Sequence, residues 1–435
     1  QVVAVLVLRR AGGWPAAAMG WGLIGSLRVV YQPVGSPADF RADFAALCLY
    51  GVFLGLALRG GAFLSRGWSL AAGVAAAACV WTRFLTLVYV VAALGLFAAV
   101  LLVRRQRHPD PAEREAARAR VQGAVRAGVV AIVLSAPALW LQRDAIDAHY
   151  FHGILGPLRT ARAQVVGADR TWGNLGFYPR SLLGHTGPIL PAVGLLAAGG
   201  LALEAWRRRR AGLDGETSAS ALLVGLAAGV PLVVLTALTS KSIVVGSIVV
   251  APALWGVALA AARGLAVLRP WVLAWAAAAA IALCGGLVQW RGWHRPLPLD
   301  RARAAGVLEL HEAVDRASRE RGVAAPLISI DHVSDELNAW AVGATRYERT
   351  GRLLRARQGL GATIAAVGEA DALERARASD FVVLTVPGTG ALERYPADKS
   401  LAKARPGLVA FCEGEMSFGG RFRIPGRDVQ LFVRR

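Results

Sequence analysis

Lysine is nearly missing from this chain: Lys241, Lys399 and Lys403 are the only three in 435 residues, although lysine and arginine together number 49. The positive charge is therefore almost all arginine, and against 29 acidic residues it leaves a formal charge of +20. That balance raises the question of a nucleic-acid partner. The placement argues against one, because most arginines flank apolar stretches in short loops and none is interleaved with a base-stacking aromatic platform. Cysteine is scarce too. Cys48, Cys79 and Cys284 lie in apolar stretches and Cys412 in the polar C-terminal part, so neither a disulfide framework nor a paired metal-ligand spacing can be built. A start methionine is also lacking, and Val2–Leu8 reads as the tail of a span. It is too short for a signal peptide and has no basic region before it. The expectation is a truncated chain whose remainder lies upstream of Gln1.

What the chain does have is apolar length. Hydrophobic residues make up 55%, too many for an ordinary soluble globule. The Ala/Arg/Gly-heavy usage fits a GC-rich bacterial genome. Over residues 1–289 the polar breaks alternate in character. Arg9 and Arg10, Arg59 and Arg66, Arg104–Arg126, Arg207–Arg210, and Arg263 with Arg269 form one set. Pro33–Asp43, Trp81–Phe84, Gln142–Gly187 and Thr239–Ser242 form the other. Basic breaks are retained on the cytoplasmic side, so the alternation predicts a chain that weaves through an inner (plasma) membrane.

A helical span needs about 20 apolar residues. After the stub, the expected spans are Gly13–Tyr31, Phe44–Leu58, a pair within Trp68–Val103, Ala124–Leu141, Pro188–Trp206, Ala219–Leu238, Ile243–Ala262 and Trp271–Val288. The pair is split at Trp81-Thr82-Arg83-Phe84, since an unpaired arginine at mid-bilayer costs several kcal/mol. Arg104–Gly123 reads as a basic amphipathic segment on the membrane surface, and Gln142–Gly187 as a long external loop. The fold class expected is thus an α-helical polytopic membrane protein of about nine full spans plus a leading stub, over residues 1–289. A linker at 290–299 carries Trp290, Trp293, Pro296 and Pro298. Residues 300–435 read as an extracytoplasmic α/β domain. Its first helix shows amphipathic spacing at Val307, Leu310, Val314 and Ala317. Strand-like runs are expected at Leu327–Ile330, Phe381–Val386, Leu408–Cys412 and Val429–Val433, with helices at Ser334–Ala341 and Glu369–Ala378.

Asp39 and Asp43 make the strongest candidate constellation. They stand four residues apart at the outer mouth of a span, on one face of a helix that continues upstream. Such carboxylates can bind a divalent cation (Mg or Mn), act as a general base or hydrogen-bond a sugar; the competing reading is a helix cap. Lys241, flanked by Ser240, can meet a lipid phosphate or merely snorkel to headgroups. Arg83 can contact a phosphate, balance Asp39 and Asp43, or snorkel. In the external loop, His149 and His152 share a helix face, and Arg159, Arg162, Tyr178 and Arg180 follow. Two histidines without a third ligand are weak grounds for zinc, and a juxtamembrane helix is the competing reading. Gly359-Leu360-Gly361 and Gly388-Thr389-Gly390 read as turns, not phosphate loops.

In order along the chain come Ala38-Asp39-Phe40-Arg41-Ala42-Asp43, a hairpin from Leu70-Ala71-Ala72-Gly73, Ala136-Pro137-Ala138-Leu139-Trp140, Gly176-Phe177-Tyr178-Pro179, and Leu238-Thr239-Ser240-Lys241 before Val250-Ala251-Pro252-Ala253-Leu254. This order resembles the membrane body of the GT-C glycosyltransferases, in the branch of the protein O-mannosyltransferases and the aminoarabinose lipid A transferases, over roughly residues 1–290. The resemblance implies a polyprenyl-phosphate sugar donor bound in the membrane and a glycan, lipid or protein acceptor on the outer face. It also implies a catalytic Asp in a first external loop, which would precede Gln1. Asp39 matches the family's second acidic position, with Asp43 its neighbour; Lys241 matches the serine-lysine element near the lipid phosphate, and Arg83 a basic or polar position. Two other functions compete: a transporter or flippase using the same outer cavity, and a non-catalytic envelope assembly subunit.

Overall fold

The computed structural model describes residues 2–27, 42–147, 171–210, 219–238, 243–267, 271–294, 301–324, 326–331, 357–358, 367–389, 396–424 and 426–435. These fall into two compact units, with everything up to His294 in one and everything from Arg301 in the other.

The first unit is all helix. Its elements are α1 (Val2–Gly25), α2 (Ala42–Arg59), α3 (Arg66–Thr82), α4 (Thr86–Arg107), α5 (Pro111–Leu141), α6 (Thr171–Thr186), α7 (Ile189–Arg210), α8 (Ala219–Ala237), α9 (Val250–Val267) and α10 (Trp271–His294). Among the described residues three of these, α4, α5 and α8, are long and apolar enough to cross a membrane. At about 1.5 Å per residue the 22 residues of α4 span roughly 33 Å, enough for a hydrocarbon core of about 30 Å.

The side chains of α5 are sorted as a bilayer would sort them. Ala117, Gly123, Ala124, Ala127, Ala131, Ser135 and Ala138 are buried against neighbouring helices. Val125, Val129, Ile132, Val133 and Leu141 are exposed, the last at 82%. A water-soluble helix buries its large apolar residues; here the small ones face inward, which lets backbones approach closely.

Helix ends follow local chemistry. Asp110 caps α5 by accepting from the amide of Ala112 at 2.9 Å, and Pro111 occupies the first helical position, where no N–H is needed. Arg104, Arg105 and Arg107 fill the last turn of α4, where exposed carbonyls favour positive charge. In α1, Gly13 takes φ +74° just before Pro15, and the chain doubles back, so that the side chain of Leu8 reaches Gly20. The stub and the first expected span are therefore two halves of a helical hairpin with Arg9 and Arg10 at its bend. The second half lies against α10: a Cβ on Gly25 would come within 2.9 Å of the carbonyl of Gly285, and one on Gly285 would collide with Gly22.

The expected break within Trp68–Val103 is present. α3 stops at Thr82, Arg83 is extended, and α4 starts at Thr86. Four expectations are corrected. Arg104–Gly123 is no separate surface segment, because α5 runs unbroken from Pro111 to Leu141. Gly123 serves packing instead of breaking the helix: a Cβ there would lie 2.8 Å from Ser69 Oγ and overlap the carbonyl of Phe63. The stretch Gln142–Gly187 contains the 16-residue helix α6. Ile243–Ala262 is helical throughout but not one continuous α-helix: one α-helical turn at Ile243–Gly246 passes through a 3-10 turn at Ser247–Val249 into α9. Leu408–Cys412 is helical, as shown next.

The second unit contains α11 (Arg301–Glu320), β1 (Leu327–Ile330), β2 (Arg357–Gln358), α12 (Glu369–Ala378), β3 (Phe381–Thr385), α13 (Pro396–Glu415), β4 (Met416–Ile424) and β5 (Arg427–Arg434). The sheet order is β2-β1-β3-β5-β4, parallel across β2, β1 and β3 and antiparallel across β3, β5 and β4. β3 is buried on both faces. Phe381 and Val383 join Val307, Leu310 and Val314 of α11 in one core, while Val382 and Leu384 join Ala372, Leu401, Leu408 and Cys412 in the other. The unit is thus a three-layer sandwich, and Leu408–Cys412 belongs to α13 because its apolar residues serve the second core at helical spacing. Ser334–Ala341 lies outside the described residues.

Candidate functional site

Three helix termini meet at one end of the first unit: the start of α2, the end of α3 and the start of α4. Cys79 donates to the carbonyl of Ala46 at 3.4 Å and ties α3 to α2. Thr82 and Thr86 each return a hydroxyl to a carbonyl three residues back, at 2.7 Å. The extended residue between these helices is Arg83, and its Nη1 is in ion contact with Oδ1 of Asp43. Asp43 is 8% exposed and Arg83 22%. Among the charge roles open to Arg83, the described residues show the contact with Asp43. Among the described residues no three His, Cys, Asp or Glu side chains gather to hold a metal.

Tyr178 and Arg180 share α6 but differ in fate. Tyr178 is 1% exposed, edge-on to Phe177 at 5.0 Å, and lies where a Cβ on Gly246 would come within 2.7 Å of its ring. α6 is thereby packed on the turn that follows the serine-lysine element. Arg180 is exposed and donates to the carbonyls of Gly176 at 3.0 Å and Gly173 at 3.5 Å in its own helix. Asp39, Ser240, Lys241 and His149 lie outside the described residues. The structure thus brings Asp43 and Arg83 together, and turns Tyr178 and Arg180 to different surroundings.

The second unit holds a polar cluster that sequence inspection did not single out. Asp331 ends β1 and is 1% exposed. Its carboxylate accepts from the amide and hydroxyl of Thr385, both at 2.9 Å, and from Nε of Arg405 at 3.0 Å. Buried Arg427 is held below the usual guanidinium range by desolvation, which the nearby Asp331 charge opposes. Asp331 and Thr385 stand at the carboxyl ends of adjacent parallel strands. With three donors on one carboxylate, the arrangement braces the strand ends.

No family model, curated protein or solved structure matches the chain.

Proposed function

We propose that the chain is the membrane body of a glycosyltransferase that moves a sugar from a polyprenyl-phosphate donor to an acceptor at the bundle end where Asp43 and Arg83 meet. The observation that carries this reading is the pairing itself: a guanidinium held by a carboxylate at a junction of three helix ends. In the reaction a bond forms between the acceptor oxygen and the anomeric carbon as the bond from that carbon to the phosphate oxygen breaks. The electron pair stays on the phosphate, and the acceptor proton passes to a base. Positive charge beside the departing phosphate lowers the barrier, since charge develops there in the transition state. Arg83 supplies it by exchanging Asp43 for the phosphate, with Lys241 and Ser240 as further phosphate ligands and Asp39 as a neighbouring acid. In this reading about nine helices cross an inner membrane, the α/β unit is extracytoplasmic, and the acceptor is a glycan, lipid or protein.

The test is release of polyprenyl phosphate from a panel of polyprenyl-phosphate sugars by the full chain in proteoliposomes supplied with glycan, lipid and protein acceptors. Arg83→Gln is expected to lower turnover roughly 100-fold, the scale for losing one charge-stabilising donor, and Arg83→Lys to restore part of it. Wild-type protein that releases nothing from any donor sinks the proposal, as does an Arg83→Gln variant of full activity.

A further inference from the structure

At the opposite end of α2, the basic end of the first unit, a cavity of about 510 Å³ opens between α1, α2, α8 and α9. Arg10 from the bend of the α1 hairpin and Arg59 from the last turn of α2 both line it. Val7, Leu58, Val224 and Leu259 supply apolar wall. Its size is that of a small-molecule site. No carboxylate among the described residues forms an ion pair with either arginine. The guanidinium of Arg59 instead lies over the ring of Trp68, 5.6 Å from its centre, a contact that leaves its charge unneutralised. A Cβ at Gly225, which also borders the cavity, would meet nothing within 4 Å.

Two guanidiniums that no carboxylate among the described residues pairs with, and apolar walls in the same cavity, define the ligand by chemistry. The planar arginine fork matches phosphate oxygens in pairs. A small inorganic anion would satisfy the arginines and leave the apolar walls wet; an amphiphile with a phosphodiester head satisfies both. Basic pockets between membrane helices recognise anionic headgroups on these grounds. We propose that this cavity is a binding site for an anionic phospholipid of the leaflet at that end, its phosphate on Arg10 and Arg59 and its first methylenes against Leu58, Val224 and Leu259. The site requires the helical unit to lie in a bilayer, but it is independent of the transferase chemistry at the other end.

The experiment uses the full chain, extracted from bilayers of mixed phosphatidylcholine and phosphatidylglycerol and examined by native mass spectrometry under increasing activation. The wild-type chain is expected to keep one phosphatidylglycerol after the other lipids have left. Arg10→Gln with Arg59→Gln should lower that retained fraction at least about tenfold, the factor for losing about 1.4 kcal/mol. Gly225→Leu, which places an isobutyl group at the cavity border and keeps both arginines, should do the same. Arg105→Gln with Arg107→Gln removes equal charge from the end of α4, away from the cavity, and should change nothing. Equal retention of the two lipids overturns the proposal, and so does indifference of retention to both cavity variants. Displacement of the lipid by added inorganic phosphate also overturns it, by making the site one for a free anion.

Discussion

Breaking the Asp43–Arg83 pair from each side, and then from both, separates a coupled pair from two charges that happen to be neighbours. Arg83→Gln removes the guanidinium that faces a carboxylate only 8% exposed. Losing one partner of a buried pair costs about 3–5 kcal/mol, and because Arg83 keeps 22% of its surface exposed the lower end, roughly 3 kcal/mol, applies. Asp43→Asn strands the more exposed partner, which can turn toward water, so about 2 kcal/mol is expected. The double variant leaves no charge to strand and should cost about 3 kcal/mol, well short of the sum. The coupling is then roughly 2 kcal/mol, inside the range for residues in contact. Reversible unfolding in mixed micelles with rising dodecyl sulfate, followed by tryptophan fluorescence, reads all four proteins. Trp81 is a local reporter, since its indole donates to the carbonyl of Leu134 at 2.9 Å and ties α3 to α5 beside this junction. Costs that simply add, with coupling below about 0.5 kcal/mol, would refute the argument that this junction depends on the pair.

Gly285→Val drives a side chain into the backbone of α1 and should cost about 3 kcal/mol or more in the same unfolding assay, whereas Gly95→Ala, whose Cβ meets nothing within 4 Å, should stay within about 0.5 kcal/mol of wild type. The Cys412 thiol is pushed up from 9.0 to about 12, first by burial and then by the Glu413 charge, so iodoacetamide at pH 8 should label it only after unfolding. Above pH 9.0 the unfolded chain loses that proton before the folded one does, so its contribution to stability is complete below pH 9.0 and falls by about 1.4 kcal/mol per pH unit on the way to 12. Asp331→Asn removes the counter-charge facing Arg405 and Arg427, and faster amide hydrogen exchange at Thr385 is the expected readout.

The features legible in the sequence were those with a local physical cost. An arginine in the middle of an apolar run forced the turn at Arg83. The Asp43–Arg83 contact was open to inference because both residues sit at span ends of the same character, though its geometry depends on how α2 packs against the α3–α4 turn. Where packing overrode local signals, the reading failed. Pro406 and Gly407 hid the helical spacing of Leu401, Ala404, Leu408 and Cys412. β4, with Gly419, Gly420, Arg421 and Arg423, has little strand character of its own and exists through its pairing with β5. Asp331 carried no signal, since Thr385, Arg405 and Arg427 come to it from distant parts of the chain.

The meeting of α1 with α10 bears on how the chain is made. Gly22 and Gly285 lie against each other with about 260 residues between them. At roughly 5–20 residues per second, a ribosome takes about 13–50 s to supply the second after the first. Throughout that interval the face of α1 that will receive α10 is without its native partner, so the insertion machinery, or a chaperone at its exit, has to shield a glycine-lined seam. A circularly permuted gene that places α10 directly ahead of α1 should shorten that wait without altering the finished bundle.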